Sequence, residues 1–343
     1  VNVLQPGNGI SEETVTKLAE TYATDSGVTS KLDEALKQKE RGPLQFLEDM
    51  VPDNAIKAMT ENALMLQVIF FTIFMGIAML LIGEERAKPL KNFFDALNDV
   101  VLKMVDLIML SAPYAVFALL ANVVASSGDP DLLVALLKYA GVVLIGLFLM
   151  IVFYTILVST YTKKNPFWFL KQISPAQLLA FSTSSSAATL PVTMERVEEH
   201  IGVDKEVSSF VLPVGATINM DGTSLYQGVA AVFAMQVLWP EGLVFSNQII
   251  IVLTALLASI GSAAVPGAGM VMLVIVLESI GFPPDLYPIA LALIFAVDRP
   301  LDMCRTIINV TGDATVAMVV AKSVGKLGEP DIKEWDDHLE EVK

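Results

Sequence analysis

Five residues able to do chemistry stand in the last apolar segment, residues 286–322: Asp298, Asp302, Arg305, Asn309 and Asp313. Their spacings of 4, 3, 4 and 4 place all five on one helical face, over roughly 22 Å at about 1.5 Å per residue. Thr306 edges the same stripe. Each such charge at the centre of a bilayer costs about 2.5–3.5 kcal/mol on insertion scales, so the stripe cannot face lipid. Either it pairs internally, as Asp302–Arg305 and Asp298–Arg299 are spaced to do, or it binds something charged. Internal pairing leaves Asp313 and Asn309 without named partners. Binding explains more: Asp302 is placed to take an ammonium, and Arg305 to hold a carboxylate with two parallel hydrogen bonds. Thr306 and Asn309 add hydrogen bonds. The ligand that fits is an α-amino acid with an acidic side chain. Hard cations such as Na⁺ want oxygen ligands, which Asp313, Asn309, Asn219, Asp221 and free carbonyls supply.

Three earlier apolar stretches have to position this face, and each is interrupted by small and polar residues. Leu178–Thr193 is broken at Ser182–Ala188, Val207–Val237 at Gly215–Thr223, and Ile249–Ile280 at Gly261–Gly269. Each half of the first and third is too short to span a bilayer, so these two read as re-entrant helical hairpins at 166–200 and 246–282. The second reads as a broken helix, 207–237. Irregular backbone at membrane depth survives only where protein buries it or a cavity solvates it. Discontinuous helices of this kind mark the binding sites of transporters. A single interruption is as readily a Gly/Ser packing face; three in succession are not. The tips at Ser184, Ser185 and Ser186 and at Val265–Gly269 offer backbone N–H groups to a carboxylate.

Composition agrees. Charged residues make up 17% of the 343, against about 25% in a soluble chain, and mean hydropathy is +0.61. Uninterrupted spans are expected at Ala63–Ile82, Val101–Ala125 and Ala135–Thr160. The intervening stretches at 84–91 and 163–164 are basic and read as cytoplasmic loops. The stretch at 128–131 carries no basic residue and reads as external, as do residues 1–50. A net charge of −15 without a basic stripe excludes nucleic acid. The single Cys304 excludes a disulfide framework. No signal peptide is visible, and because the chain opens at Val1 an N-terminal portion is expected ahead of it.

At these motifs the chain resembles the glutamate-transporter family, the dicarboxylate/amino acid:cation symporters. The residues that carry the likeness are the serine tip running into Ala188-Thr189-Leu190-Pro191, then Asn219-Met220-Asp221-Gly222-Thr223, and then Val265-Pro266-Gly267-Ala268-Gly269. Asp302-Met303-Cys304-Arg305-Thr306 and Asn309-Val310-Thr311-Gly312-Asp313 complete the set. The resemblance implies an all-α membrane protein with inverted repeats, a homotrimer in the plasma (inner) membrane, moving its cargo by an elevator-like mechanism. It further implies scaffold helices at 51–127, a transport domain at 131–328 and a cytoplasmic tail at 329–343. Residues 1–50 would be the end of an N-terminal helix and an extracellular loop.

Thr223, Val265 and Gly269 then join the serine tip, Asp302, Arg305, Thr306 and Asn309 as substrate-binding residues. The resemblance assigns Gly215, Asn219, Asn309 and Asp313 to one Na⁺ site. A second comprises Thr217, carbonyls near Ser259, Ile260 and Ser262, and the Met220 sulfur. Asn219, Asp221 and Thr223 form part of a third.

Two departures matter. The family usually keeps an arginine at the position of Ser184 or of Met303, and this chain has neither; Arg299, one turn before Asp302, is the candidate replacement. Gln227 stands where potassium-coupled members carry a glutamate, which argues against K⁺ counter-transport and H⁺ co-transport through that position. The rival within transport is a C4-dicarboxylate symporter, whose substrate lacks an ammonium. Neutral amino-acid exchange would leave Arg305 without a partner. An intramembrane hydrolase built on Ser184–Ser186 or on Asp298/Asp302 is a weaker rival, because no base stands near the serines and the two aspartates stack on one helix. No catalytic residue is expected.

Overall fold

The computed structural model describes residues 1–7, 51–52, 54–60, 65–109, 114, 130–260 and 267–332. Most of the N-terminal segment and the end of the second expected span lie outside them. So do the tip residues Ser262 and Val265, and the tail beyond Ile332. Among the described residues all regular structure is helical, with one isolated antiparallel bridge between Val203 and Leu327.

The helices are α1 (Ala55–Thr60), α2 (Met65–Ile82), α3 (Glu84–Met109), α4 (Pro130–Thr162), α5 (Pro166–Thr183), α6 (Ser186–Glu195), α7 (Lys205–Ile218), α8 (Asp221–Leu238), α9 (Phe245–Ser259), α10 (Ala268–Ser279) and α11 (Tyr287–Ser323). The stretch 84–91, read from sequence as a loop, is the first turns of α3. Its Glu, Arg, Ala, Lys and Leu residues are strong helix formers. Pro89 sits near enough to the N-terminus, on an exposed surface, for water to satisfy the carbonyl it leaves unbonded.

Among the described residues two helices are long and apolar enough to cross a membrane, Leu132–Thr162 within α4 and Val297–Ser323 within α11. They differ in how they are covered. Along α4, Leu137, Leu144, Phe148, Leu149, Phe153 and Ile156 are exposed, an apolar face suited to lipid tails. Most of the α11 span is buried, so its polar stripe is enclosed by protein.

The buried apolar side chains form two clusters, and α11 threads both. The first gathers residues of α4, α8, α10 and the leading half of α11 as far as Ile308. The second gathers Val158 at the end of α4, residues of α5, Val197 and Ile201, α7 and the trailing half of α11 from Val310 onward, with α6 packed against it through half-buried side chains. The boundary on α11 falls at Asn309.

The breaks position the site. α5 and α6 pack on one another and meet at Ser184, which adopts a left-handed backbone at φ 51° and closes α5 through its N–H to the Ala180 carbonyl. Ser185 then caps α6, its Oγ accepting from Ala188 N at 3.1 Å. α7 ends at Ile218 and α8 begins at Asp221, with Asn219 and Met220 in irregular backbone between them. α9 and α10 also pack together, and Gly267 (φ 76°) precedes α10.

At the opposite end, a π-helical turn, Arg196–Ile201, follows α6. Residues 324–332 cross it, with Gly328 N donating to Gly202 O at 2.8 Å and Asp204 N to Lys326 O at 3.0 Å. Lys164 reaches Glu329 at 3.0 Å on the surface.

Candidate substrate and cation site

The five-residue stripe is buried throughout: Asp298, Asp302, Arg305, Asn309 and Asp313 are each no more than 6% exposed. Its neighbours divide it in two.

In the leading half every charge has an internal partner. Arg305 Nη2 lies 2.7 Å from Asp302 Oδ1, and Asp302 Oδ2 accepts from Gly267 N at 2.8 Å. Asp302 thereby ties the start of α10 to α11. The Arg305 guanidinium lies 4.9 Å from the centroid of the Tyr226 ring, a cation–π contact. Tyr226 in turn donates its hydroxyl to Asp298 Oδ1 at 2.5 Å. Of the internal pairs that the spacing allows, Asp302–Arg305 forms, and Asp298 accepts from a tyrosine on α8. Arg305 Nη1 is buried without a hydrogen-bond partner. Gly269 backs it so closely that a Cβ there would run into the guanidinium. Ser184 Oγ, at the α5–α6 break, is likewise buried without a partner. Ser186 is buried at the head of α6. Thr306 spends its hydroxyl on the Asp302 carbonyl at 2.8 Å.

In the trailing half the carboxylates meet only neutral donors. Asp313 Oδ1 accepts from Asn219 Nδ2 at 3.0 Å, and Asp221 Oδ2 accepts from the Tyr154 hydroxyl of α4. Among the described residues no Lys, Arg or His lies within ion-pair distance of either. A glycine makes each approach possible. A Cβ at Gly215 would stand 2.6 Å from Asp313 Oδ1, and one at Gly312 would stand 2.8 Å from Tyr154 Oη and 3.0 Å from Asn219 Nδ2. Asp313 is buried and Asp221 half-buried, and two such carboxylates close together without a counter-charge are unfavourable. A hard monovalent cation among oxygen ligands would relieve them, so the donor set fits Na⁺.

Asn309 joins the halves. Its Oδ1 accepts from Gly222 N at 2.8 Å and its Nδ2 donates to Thr223 Oγ1 at 3.2 Å. The stripe is thus pinned to the first turn of α8 at the point where the two apolar clusters meet.

Not every expected ligand is drawn in. Thr217 is buried but bonds its own helix at Val214 O, and Ser259 does the same at Leu256 O. Ile260 closes α9, and Met220 is buried at the α7–α8 break. Among the described residues no hydrogen bond joins these four into one cluster. Sequence reading missed Tyr154 and Tyr226. The available signal was a phenol in the middle of an apolar span, where a buried hydroxyl must find an acceptor. A cleft of about 550 Å³ opens beside Asp221, lined by Met150, Ser224, Gly228 and Ile251 among others; Asp302, Arg305 and Asn309 do not line it.

With this geometry in view, the class is defined. The chain belongs to the sodium:dicarboxylate symporter family, whose model matches residues 1–323, a family of integral membrane transporters rather than enzymes. Among its relatives, excitatory amino acid transporter 5 of Homo sapiens is 43% identical over 262 residues, covering 75% of this chain and 45% of the relative. Excitatory amino acid transporter 1 of Ambystoma tigrinum is 39% identical over 310 residues, covering 89% and 54%. The proton/sodium-glutamate symport protein of Bacillus subtilis is 37% identical over 325 residues, covering 94% and 72%. The chain thus spans about half the length of the first two relatives.

Proposed function

We propose that this protein is a secondary active symporter that carries L-aspartate or L-glutamate into the cell together with Na⁺. The observation that carries the reading is the division of the buried stripe. A charge-balanced half holds an arginine and an aspartate ready to exchange partners, and the other half holds carboxylates with no Lys, Arg or His in ion-pair reach among the described residues.

On substrate entry Arg305 releases Asp302 and takes the side-chain carboxylate, using the fork whose Nη1 is otherwise unpartnered. Asp302 then receives the ammonium. Ser184, Ser185 and Ser186, with the backbone of 265–269, face the α-carboxylate. Na⁺ belongs at Gly215, Asn219, Asn309 and Asp313, and further Na⁺ at Asp221 and Thr223 and near Thr217, Met220, Ser259, Ile260 and Ser262. Because Asn309 bonds the first turn of α8, a cation that fixes Asn219 and Asp313 also fixes the residue next to the substrate. Coupling follows from that shared position.

In the same reading the α5–α6 and α9–α10 pairs are re-entrant hairpins of a transport domain, 131–328, that moves elevator-like against a scaffold at 51–127. The protein is a homotrimer in the lipid of the plasma (inner) membrane. The names of the relatives above, two excitatory amino acid transporters and a proton/sodium-glutamate symport protein, support the choice of substrate.

Titrating L-aspartate and L-glutamate with and without Na⁺ tests the reading. Na⁺ is expected to tighten binding by at least about tenfold, within the usual range of coupling between sites. Arg305→Ala is expected to abolish the preference for acidic side chains. Unchanged affinity in Arg305→Ala would reject the clamp. Competition by succinate and none by aspartate would mark a C4-dicarboxylate carrier instead.

A further inference from the structure

Asp302 is gripped from two sides by arginines of its own helix. Arg299 and Arg305 stand three residues before and after it, hence about 60° to either side around the helix axis. Their surroundings differ. The Arg305 side chain is 3% exposed and lies 2.7 Å from Oδ1; that of Arg299 is 29% exposed, with Nη1 3.6 Å from Oδ2. The second oxygen also holds the Gly267 N–H at 2.8 Å. The two carboxylate oxygens therefore have separate duties: one faces the buried arginine, and the other faces the rim arginine and the start of α10.

We propose that Arg299 is a positioning residue that decides for amino acids over plain dicarboxylates. It anchors Oδ2 of Asp302 so that Oδ1 is presented to a substrate ammonium once Arg305 has turned to a carboxylate. The inference rests on the substrate reading given above. Without Arg299 the buried carboxylate, deprived of Arg305 in the loaded state, keeps among the described residues one backbone N–H, that of Gly267, to hold its orientation. The loss falls on substrates with an ammonium, because only they use Oδ1. The contact joins one nitrogen to one oxygen, so a point charge suffices and lysine serves in place of arginine.

The test measures Na⁺-dependent binding of L-glutamate, L-aspartate and succinate to the native protein, Arg299→Gln and Arg299→Lys, with Na⁺ binding in the absence of substrate as the check on folding. Arg299→Gln is expected to weaken both amino acids by about tenfold, the scale of one partly buried ion pair, and to move succinate by less than about twofold. Arg299→Lys is expected to recover most of the loss. Amino acids and succinate weakened in the same proportion would overturn the proposal, since Arg299 would then only attract anions to the entrance. Unchanged affinities in Arg299→Gln would overturn it as well. If the glutamine variant does not fold, lysine decides alone: near-native amino-acid affinity supports the proposal, and a deep loss rejects it. A native protein that binds no acidic amino acid with Na⁺ overturns the substrate reading, and that result is read before any variant.

Discussion

The two halves of α11 carry similar residues in opposite electrostatic states. From Asp298 to Arg305 each carboxylate meets a phenol, a guanidinium or a backbone N–H, and the arginine is stacked on an aromatic ring. From Asn309 onward Asp313, and Asp221 across from it on α8, are served among the described residues by an amide and a phenol. The difference shows what each half can accept. A balanced cluster admits a ligand that carries both signs and exchanges pairs with it. On the proposed reading, an unbalanced cluster takes a cation. The α11 residues of both halves are buried to the same extent, so their burial alone would not have told the halves apart.

The largest expected effect comes from removing the imbalance. Asp313→Asn keeps an oxygen but deletes the charge, and should lower Na⁺ affinity by about a hundredfold, near the upper end of single-site couplings. The substrate half should then bind only as it does without Na⁺. Direct Na⁺ titration, followed by intrinsic fluorescence or calorimetry, checks this. Na⁺ affinity retained within twofold or so would mean the trailing half is balanced by something other than a bound cation.

A smaller effect is expected at Tyr154. Tyr154→Phe leaves the half-buried Asp221 without its phenol donor, which costs about 0.5–1.5 kcal/mol, the net worth of a typical hydrogen bond, and should make the substrate-free protein melt earlier. Saturating Na⁺ should recover part of the loss, because the cation replaces the donor. An equal loss with and without Na⁺ would separate Tyr154 from the cation half.

Much of this contrast was legible in the sequence, because a helix converts spacing directly into a face. The stripe on α11, the break at Ser184 and the irregular Asn219–Met220 pair could all be read from charge and breaker residues in apolar surroundings. What could not be read was how the charges are distributed among partners on other helices. Tyr154 and Tyr226 look like packing aromatics within apolar runs, and only the crossing of α4 and α8 over α11 gives their hydroxyls acceptors. The start of α3 was misread for a local reason. A proline among charged residues resembles a loop, yet near an exposed helix start it is tolerated.

The smallest expected effect lies far from the stripe, at the π-helical turn. His200 Nε2 stands 2.6 Å from Arg196 Nη1. Burial and the Arg196 charge hold the imidazole below its ordinary value of 6.5, so the folded state keeps it neutral as an acceptor. The unfolded chain takes up the proton first as pH falls. The contribution to stability is therefore complete above about pH 6.5 and is lost as the pH drops towards the lowered value. Thermal melting between pH 7.5 and about 5.5 should fall slightly more for the native protein than for His200→Gln. Parallel curves would show that this histidine plays no part.

The feature on which the account depends is Asn309, placed between the two halves and bonded to the first turn of α8. Linkage requires the factor by which saturating Na⁺ tightens L-glutamate binding to equal the factor by which saturating L-glutamate tightens Na⁺ binding, multiplied over all the Na⁺ ions bound, and if Asn309 couples the halves both factors depend on it. Measuring both on the native protein and on Asn309→Ala tests this most directly. The account predicts two equal factors of at least about tenfold in the native protein, falling together towards unity in the variant. L-Glutamate affinity that does not change with Na⁺ in the native protein, or full coupling without the Asn309 amide, would contradict it.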